Sequence, residues 1–429
     1  MKRKFLPVIS TLILALLAAI GLKPAMAKKA SPSASRLAEA LQKEDPALIR
    51  EAVTAAREEL GDQAGLPEVP DKFVPIPKDA RMLTRDEAQL GFSRDFPQLE
   101  KLIWWKVGMD PSTITAPLRA PASVISGSAA VVRGKLDGAE RSLTLAKQAA
   151  DFLIWAQDQA GAGVFPFPAA RGTSEAAAMQ AATRFLDRAE KAGKLDTVVR
   201  NGWAFEDLSD GGLQFDNGEC GVAMFELFEV TKDARYLDSA RRAADWALSR
   251  PLCPNWNYNS FSVYLLAKAF AVTREQKYLD VAIRKARLGV IPGQLTDGHR
   301  AGRWLDPHNA QPTYHYIMLR ALAQLAAVMP PDHGDRPEIR RALALGLKSR
   351  NAEIVTQGVM NKDKAMEALL LVSQVFHDDA AFLNDTLTRV ALQVMLLFIS
   401  AEARGGKVPL SPREWGHSLE RIAGMSVAH

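Results

Sequence analysis

Along most of this chain the apolar residues return at the spacing of one face of a helix. Tyr236, Leu237, Ala240, Ala244, Ala247 and Leu248 recur near i, i+4, i+7/8 and i+11, the stripe of an amphipathic α-helix. Asp233 and Asp238 stand early in that run and Arg250-Pro251 closes it, as start and stop signals do. No stretch sustains the strict alternation of a half-buried strand.

The stripe repeats. TKDARYLDSARRAADWALS (231–249) returns as TREQKYLDVAIRKARLGVI (273–291), and GVAMFELFEV (221–230) aligns with VYLLAKAFAV (263–272), all at a shift of 42 residues. Looser copies lie at 313–350 and 362–400, with an earlier partial copy at 139–157. Two helical segments per unit and a period of about 40 mean stacked helical hairpins, since one hairpin cannot bury its apolar face alone. Tyr236 and Tyr278 sit on the stripes and read as core.

In each unit a long polar-aromatic loop precedes the first helix: 201–219, 251–259 and 292–313. If the register holds, all three emerge on one rim, where insertions mark a binding face. A decorated rim favours closure over an open solenoid. The predicted fold class is therefore all-α, with helical hairpin repeats closing into an (α/α) toroid over residues 99–403. Residues 28–98 read as a helical segment and a proline-rich linker, free to wrap the toroid or to dock a periplasmic protein partner through 35–98. Residues 404–429 read as a short tail with one helix.

Two segments carry a family resemblance. WAQDQAGAGVFPFP (155–168) resembles the helix end and turn of (α/α)-toroid pectate lyases and related six-hairpin glycan enzymes. FDNGECGVAMFELFEVTKDARYLDSARRAADWAL (215–248) is similar to their repeat, in which an Asp-rich turn opens a hairpin bearing a Tyr-Leu pair. The resemblance covers roughly residues 140–400. The tight two-glycine, Trp-Pro-Gln form is replaced here by Gly161, Gly163, Phe165 and Pro166. What the resemblance implies is a helical-hairpin glycan enzyme.

The formal charge of +5 is misleading. Four of the 54 basic side chains, Lys2, Arg3, Lys4 and Lys23, lie in the first 27 residues, and without them 50 basic side chains face 49 acidic ones. A nucleic-acid surface is unsupported. Those first residues have a positive start, an apolar run from Leu12 to Ile20 and Ala25-Met26-Ala27, the pattern of a signal peptide cut after Ala27. The expected location is the periplasm or outside the cell, with no stable membrane span after cleavage. Export would permit a Cys220–Cys253 disulfide, contributing about 3–4 kcal/mol by loop closure; two buried thiols are the alternative.

Sugar clefts combine aromatic faces with side chains that bind hydroxyls or carboxylates. The loops offer Trp203, Asp207, Asp216, Asn255, Trp256, Trp304, Asp306 and Tyr314 as substrate contacts. A polysaccharide lyase removes the proton alpha to a uronate carboxylate. It needs a base, a proton donor for the leaving oxygen and a group that neutralises the carboxylate. His315 or His299 can be the base, Tyr258 or Tyr314 the acid, and Asn255, Asn257 or Arg303 the stabiliser. A glycoside hydrolase needs two carboxyls instead, which Asp207 or Asp216 with Asp297 or Asp306 can supply. The Asn, Tyr, His and Arg content tips the reading to a lyase on a uronate-containing polysaccharide or oligosaccharide; a non-catalytic glycan-binding protein is the third reading. Each residue also has a structural role open to it: Asp216-Asn217 as a helix cap, the asparagines as turn stitches, the tryptophans as wedges. His299, His308 and His315 match no compact metal motif, so neither metal nor cofactor is expected.

Overall fold

A computed structural model describes residues 32–68, 72–81, 83–101, 103–172, 177–306, 308–360, 365–403 and 412–425. The segment expected to be a signal peptide lies outside them. The local sequence sets the hairpin turns. In the helix Gly212–Thr231 (α8), Thr231 donates its hydroxyl to the Leu227 carbonyl at 2.7 Å and accepts from the Asp233 amide at 3.3 Å. Forty-two residues on, at the end of Trp256–Thr273 (α10), Thr273 makes the same pair with Ala269 and Glu275. Between them Lys232 and Arg274 take left-handed backbone, φ 59° and 62°. Each turn thus satisfies carbonyl and amide groups that a helix end leaves without partners. Asp233 then caps Ala234–Leu248 (α9) by accepting from the Arg235 amide at 3.0 Å. Tyr236, Ala240 and Ala244 of α9 and Tyr278, Ala282 and Ala286 of Gln276–Gly289 (α11) are buried, as the stripe predicts.

The other hairpins are Arg119–Arg133 (α4) with Ala139–Ala160 (α5), Pro312–Val328 (α12) with Arg336–Gln357 (α13), and Ala365–Val375 (α14) with Ala380–Ala403 (α15). Pro32–Lys43 (α1), Pro46–Leu60 (α2) and Arg85–Lys101 (α3) precede them; Ala177–Lys191 (α6) and the short Leu195–Val198 (α7) fall between the first two hairpins; Pro412–Met425 (α16) ends the described chain. Successive first helices pack side by side: α4 on α8, α8 on α10, α10 on α12, α12 on α14, α14 on α16, and α16 back on α4. The hairpins therefore close into an (α/α) toroid. α8, α10 and α12 are buried nearly all round, as an inner position demands. α5, α9, α11, α13 and α15 form the outer layer, and α3 backs α16.

Three expectations need correction. The last segment is no tail: α16 is the inner helix that closes the ring. It meets α4 at two glycines, where a Cβ on Gly127 would collide with Pro412 backbone and one on Gly416 with Gly127 backbone. The boundary at 98 cuts α3, which belongs to the toroid. The 42-residue register holds between α8/α9 and α10/α11 only, because the longer loop before Pro312 delays the next hairpin.

Between α5 and α8 a small antiparallel sheet forms, Phe167–Pro168 (β2) and Val199–Arg200 (β3) flanking Trp203–Ala204 (β4). Another pair, Phe73–Val74 (β1) with Val359–Met360 (β5), ties the N-terminal arm to the end of α13. Cys220 and Cys253 are both buried as free thiols. No helix among the described residues is long and apolar enough to cross a membrane.

Candidate active site

The inner helices α4, α8, α10 and α12 present their first turns at one mouth of the ring. Arg119 opens α4, Phe215 and Asp216 lie near the start of α8, Tyr258 is in the first turn of α10 and Tyr314 in that of α12. These side chains meet. The Arg119 guanidinium sits 3.9 Å over the Phe215 ring, and its Nε is 3.4 Å from Asp216 Oδ1. Phe215 stacks on Phe261 at 4.1 Å and tilts towards Tyr258 at 6.5 Å. His308, from the loop before α12, stacks on Tyr314 at 4.2 Å.

Electrostatics bind the cluster together. Burial raises Asp216, and Arg119 opposes it. Burial pushes the Tyr258 hydroxyl up to about 12, reinforced by Asp210 and Tyr314, while Arg119 again pulls down. Tyr314 is raised by burial and opposed by the same arginine. One cation therefore contacts a carboxyl and lies within electrostatic range of two phenols. Arg119, Phe215, Tyr258, Tyr314 and His308 are all half-buried and open at the mouth, whereas Asp216 is buried beneath them.

The remaining candidates are elsewhere or structural. His315 is fully buried, with Nε2 3.1 Å from the Gly346 carbonyl, Nδ1 3.3 Å from Arg303 and its ring edge against Trp304. Burial and the nearby Arg303 and Arg350 hold it neutral, well below the usual histidine range. It lies on the α12 face turned to α13, away from Tyr314 and the mouth, so the expected base is a packing residue. Arg303, expected to stabilise an enolate, instead pairs with Glu353. Asn257 is fully buried and gives both its amide and its Nδ2 to Asn309 Oδ1 at 3.0 Å. Asn309 is held in turn by Asp306, and Asn255 caps α10. These four residues stitch the loop to the helix. Trp203, Trp256 and Trp304 are buried wedges: Trp203 meets Trp155 edge-on, Trp256 fills the space above Gly293, and Trp304 donates to the Val290 carbonyl. Asp207 accepts from the Ser209 amide and Asp297 pairs with Arg57. His299 is exposed, but in a side chamber described below.

Tyr258, Tyr314 and Asp216 are thus the sequence candidates that converge. Arg119 was missed because α4 lies outside the repeats and their loops. Its signal was an arginine between Pro117 and Pro121, at the start of an apolar run.

Below the mouth the ring is filled with charge. Arg320 of α12 reaches Glu219 of α8 at 2.8 Å and Glu367 of α14 at 2.7 Å, and Arg413 of α16 pairs with the same two glutamates. Ser126 of α4 bonds Glu226, with His417 Nε2 at 3.2 Å and Glu420 on the far side of that ring. This imitates a nucleophilic triad, but Ser126 is 0% and His417 3% exposed. Among the described residues no group of three or more His, Cys, Asp or Glu is arranged to hold a metal ion.

No known sequence family matches the chain, and no curated protein does. Solved structures similar to it include a polysaccharide lyase, at 12% identity and TM-score 0.47, covering 80% of this chain and 98% of that one. A glycosyl hydrolase family 88 protein from Bacteroides vulgatus gives 12% and 0.49, over 80% and 99%. An unsaturated glucuronyl hydrolase from Streptcoccus agalactiae gives 11% and 0.43, over 84% and 98%.

Proposed function

We propose that this chain is an exported enzyme that cleaves a uronate-containing glycan by β-elimination at the mouth of the ring. The observation that carries the reading is the half-buried Arg119, in contact with Asp216 and within electrostatic range of Tyr258 and Tyr314, all near the starts of four inner helices. A uronate carboxylate placed on Arg119 loses the charge that resists removal of its alpha proton. The same end of the helices carries the positive pole of each macrodipole, which favours an anion. Tyr258, protonated up to about pH 12, is a donor to the departing 4-linked oxygen. The stacked His308–Tyr314 pair supplies the base, with Phe215 as an apolar surface for the ring face.

Asp216 favours a second reading. A buried carboxyl raised above its ordinary range is a general acid for glycoside hydrolysis, with Asp210 beside Tyr258 as its partner. A panel of uronate and neutral polysaccharides, followed by ultraviolet absorbance and reducing ends, separates the two. Unsaturated products support elimination; reducing ends without absorbance support hydrolysis; neither, on every glycan, removes the enzyme. Export is tested by N-terminal sequencing, which should begin at Lys28 in an extracytoplasmic fraction.

A further inference from the structure

Beside the mouth lies a half-open chamber of about 1100 Å³, lined by the N-terminal arm, the 292–311 loop and α13. A drug-sized ligand occupies a pocket of roughly 300–1,000 Å³, so the space suits several sugar rings rather than one. The arm is fastened over it at both ends. Near α2, Arg57 pairs with Asp297, the Gly65 amide donates to the Leu305 carbonyl at 3.2 Å, and Arg300 donates to the Asp62 and Ala64 carbonyls. Ala56 and Ala64 share a small core there with Leu295 and Leu305. At the far end β1 pairs with β5, and Gly358, at φ 102°, lets the Val74 carbonyl come so close that any Cβ would collide with it.

We propose that this arm-walled chamber binds further units of the same acidic glycan, continuing the mouth through His308. The proposal rests on the reading of the mouth as a glycan site. His308 joins the two spaces: it lines the chamber, and its ring stacks on Tyr314. Phe73 and the exposed Leu66 give the chamber apolar surface for ring faces, while Gln63, Gln357 and Ser349 bring hydroxyl-binding groups. Of the three acids in the lining, Glu353 pairs with Arg303, Asp306 accepts from Asn309, and Glu68 is exposed at the rim. Arg300 is held by neutral carbonyls, so those partners leave its charge to a uronate. The mouth alone would read one end of a substrate; the chamber makes the protein sense chain length.

The test is a size series of oligouronates, from disaccharide to octasaccharide, on the full chain. Wild type should bind and turn over the long members better than the short. Phe73→Ala removes the ring surface and Ala352→Phe fills the space without removing a group; each should cut binding and kcat/KM for long oligomers about tenfold, the scale of one aromatic contact, and leave the disaccharide unchanged. Melting temperature confirms that each variant folds, and the filling variant decides if the truncated one does not. Turnover without length dependence, or equal losses at every length, overturns the chamber and leaves the mouth intact. Length-dependent binding without cleavage of any glycan overturns the mouth chemistry and leaves the chamber. Absence of binding by every member overturns both.

Discussion

The mouth and the interior of the ring use the same side-chain types for opposite ends. At the mouth the half-open Arg119, Tyr258 and Tyr314 gather above the buried Asp216; deeper, Arg320, Arg413, Glu219 and Glu367 form a sealed cluster. Arg119 keeps 36% of its side-chain surface in solvent and Arg320 keeps 0%. Arg320 meets two carboxylates at hydrogen-bond distance, whereas the contact between Arg119 and Asp216, at 3.4 Å, leaves Asp216 Oδ1 without a hydrogen bond. Ionic groups become scaffold where they are sealed and paired, and chemistry where one side is open to a ligand.

Removing a charge from each cluster should break that contrast most visibly. Arg320→Leu leaves Glu219 and Glu367 without one of their two arginines and should cost about 3–5 kcal/mol, read from urea denaturation. Arg119→Leu should change stability by less than about 1 kcal/mol yet abolish turnover of an acidic glycan. Equal stabilities for the two variants would erase the distinction. Next, Tyr258→Phe should lower kcat by about 10²–10⁴ with an unchanged melting temperature; a tyrosine that merely packs would show no such split.

A third effect sharpens the interior. Burial raises Glu226 from its ordinary 4.5 to about 7, against the pull of Arg133 and Lys268. The folded state then binds the proton more tightly than the unfolded one. The stability this gives is full below about pH 4.5 and disappears as pH rises through about 7. Glu226→Gln has no such proton, so its stability relative to wild type should increase by about 3 kcal/mol between pH 4 and pH 8. Denaturation midpoints across that range report it, with His417, 3.8 Å from Glu226, titrating as part of the same coupled pair. A pH-independent difference would show that Glu226 keeps its ordinary titration. The smallest effect belongs to the outer layer: Asp233→Ala removes the cap of α9 and should cost about 1 kcal/mol, with turnover untouched.

The hairpins were legible because their signals are local. The i, i+4 stripes and the start signal at Asp233 act within a few residues, and the fold uses them as read; the Thr231 and Thr273 turns, equally local, are seen in the structure. The site was legible only in part. Tyr258, Tyr314 and Asp216 stand in the first turns of helices after long loops, and that position alone brought them to the mouth. Trp203, Trp256, Trp304 and His315 stand in or beside the same loops and point inwards. A loop's composition does not say which side chains it turns towards the core.

From the sequence alone came the all-helical class and the hairpin repeat, because helix periodicity is set by near neighbours. Tertiary structure decided three further matters. It made the last helix the closing member of the ring, through glycines nearly three hundred residues apart in the chain. It set Arg119, from the first hairpin, against Asp216, Tyr258 and Tyr314. It also sealed Arg320 and His315 while leaving Arg119 and His308 open. Each outcome depends on which helix faces come together, and contacts between distant parts of the chain leave no periodic trace in any one stretch of it.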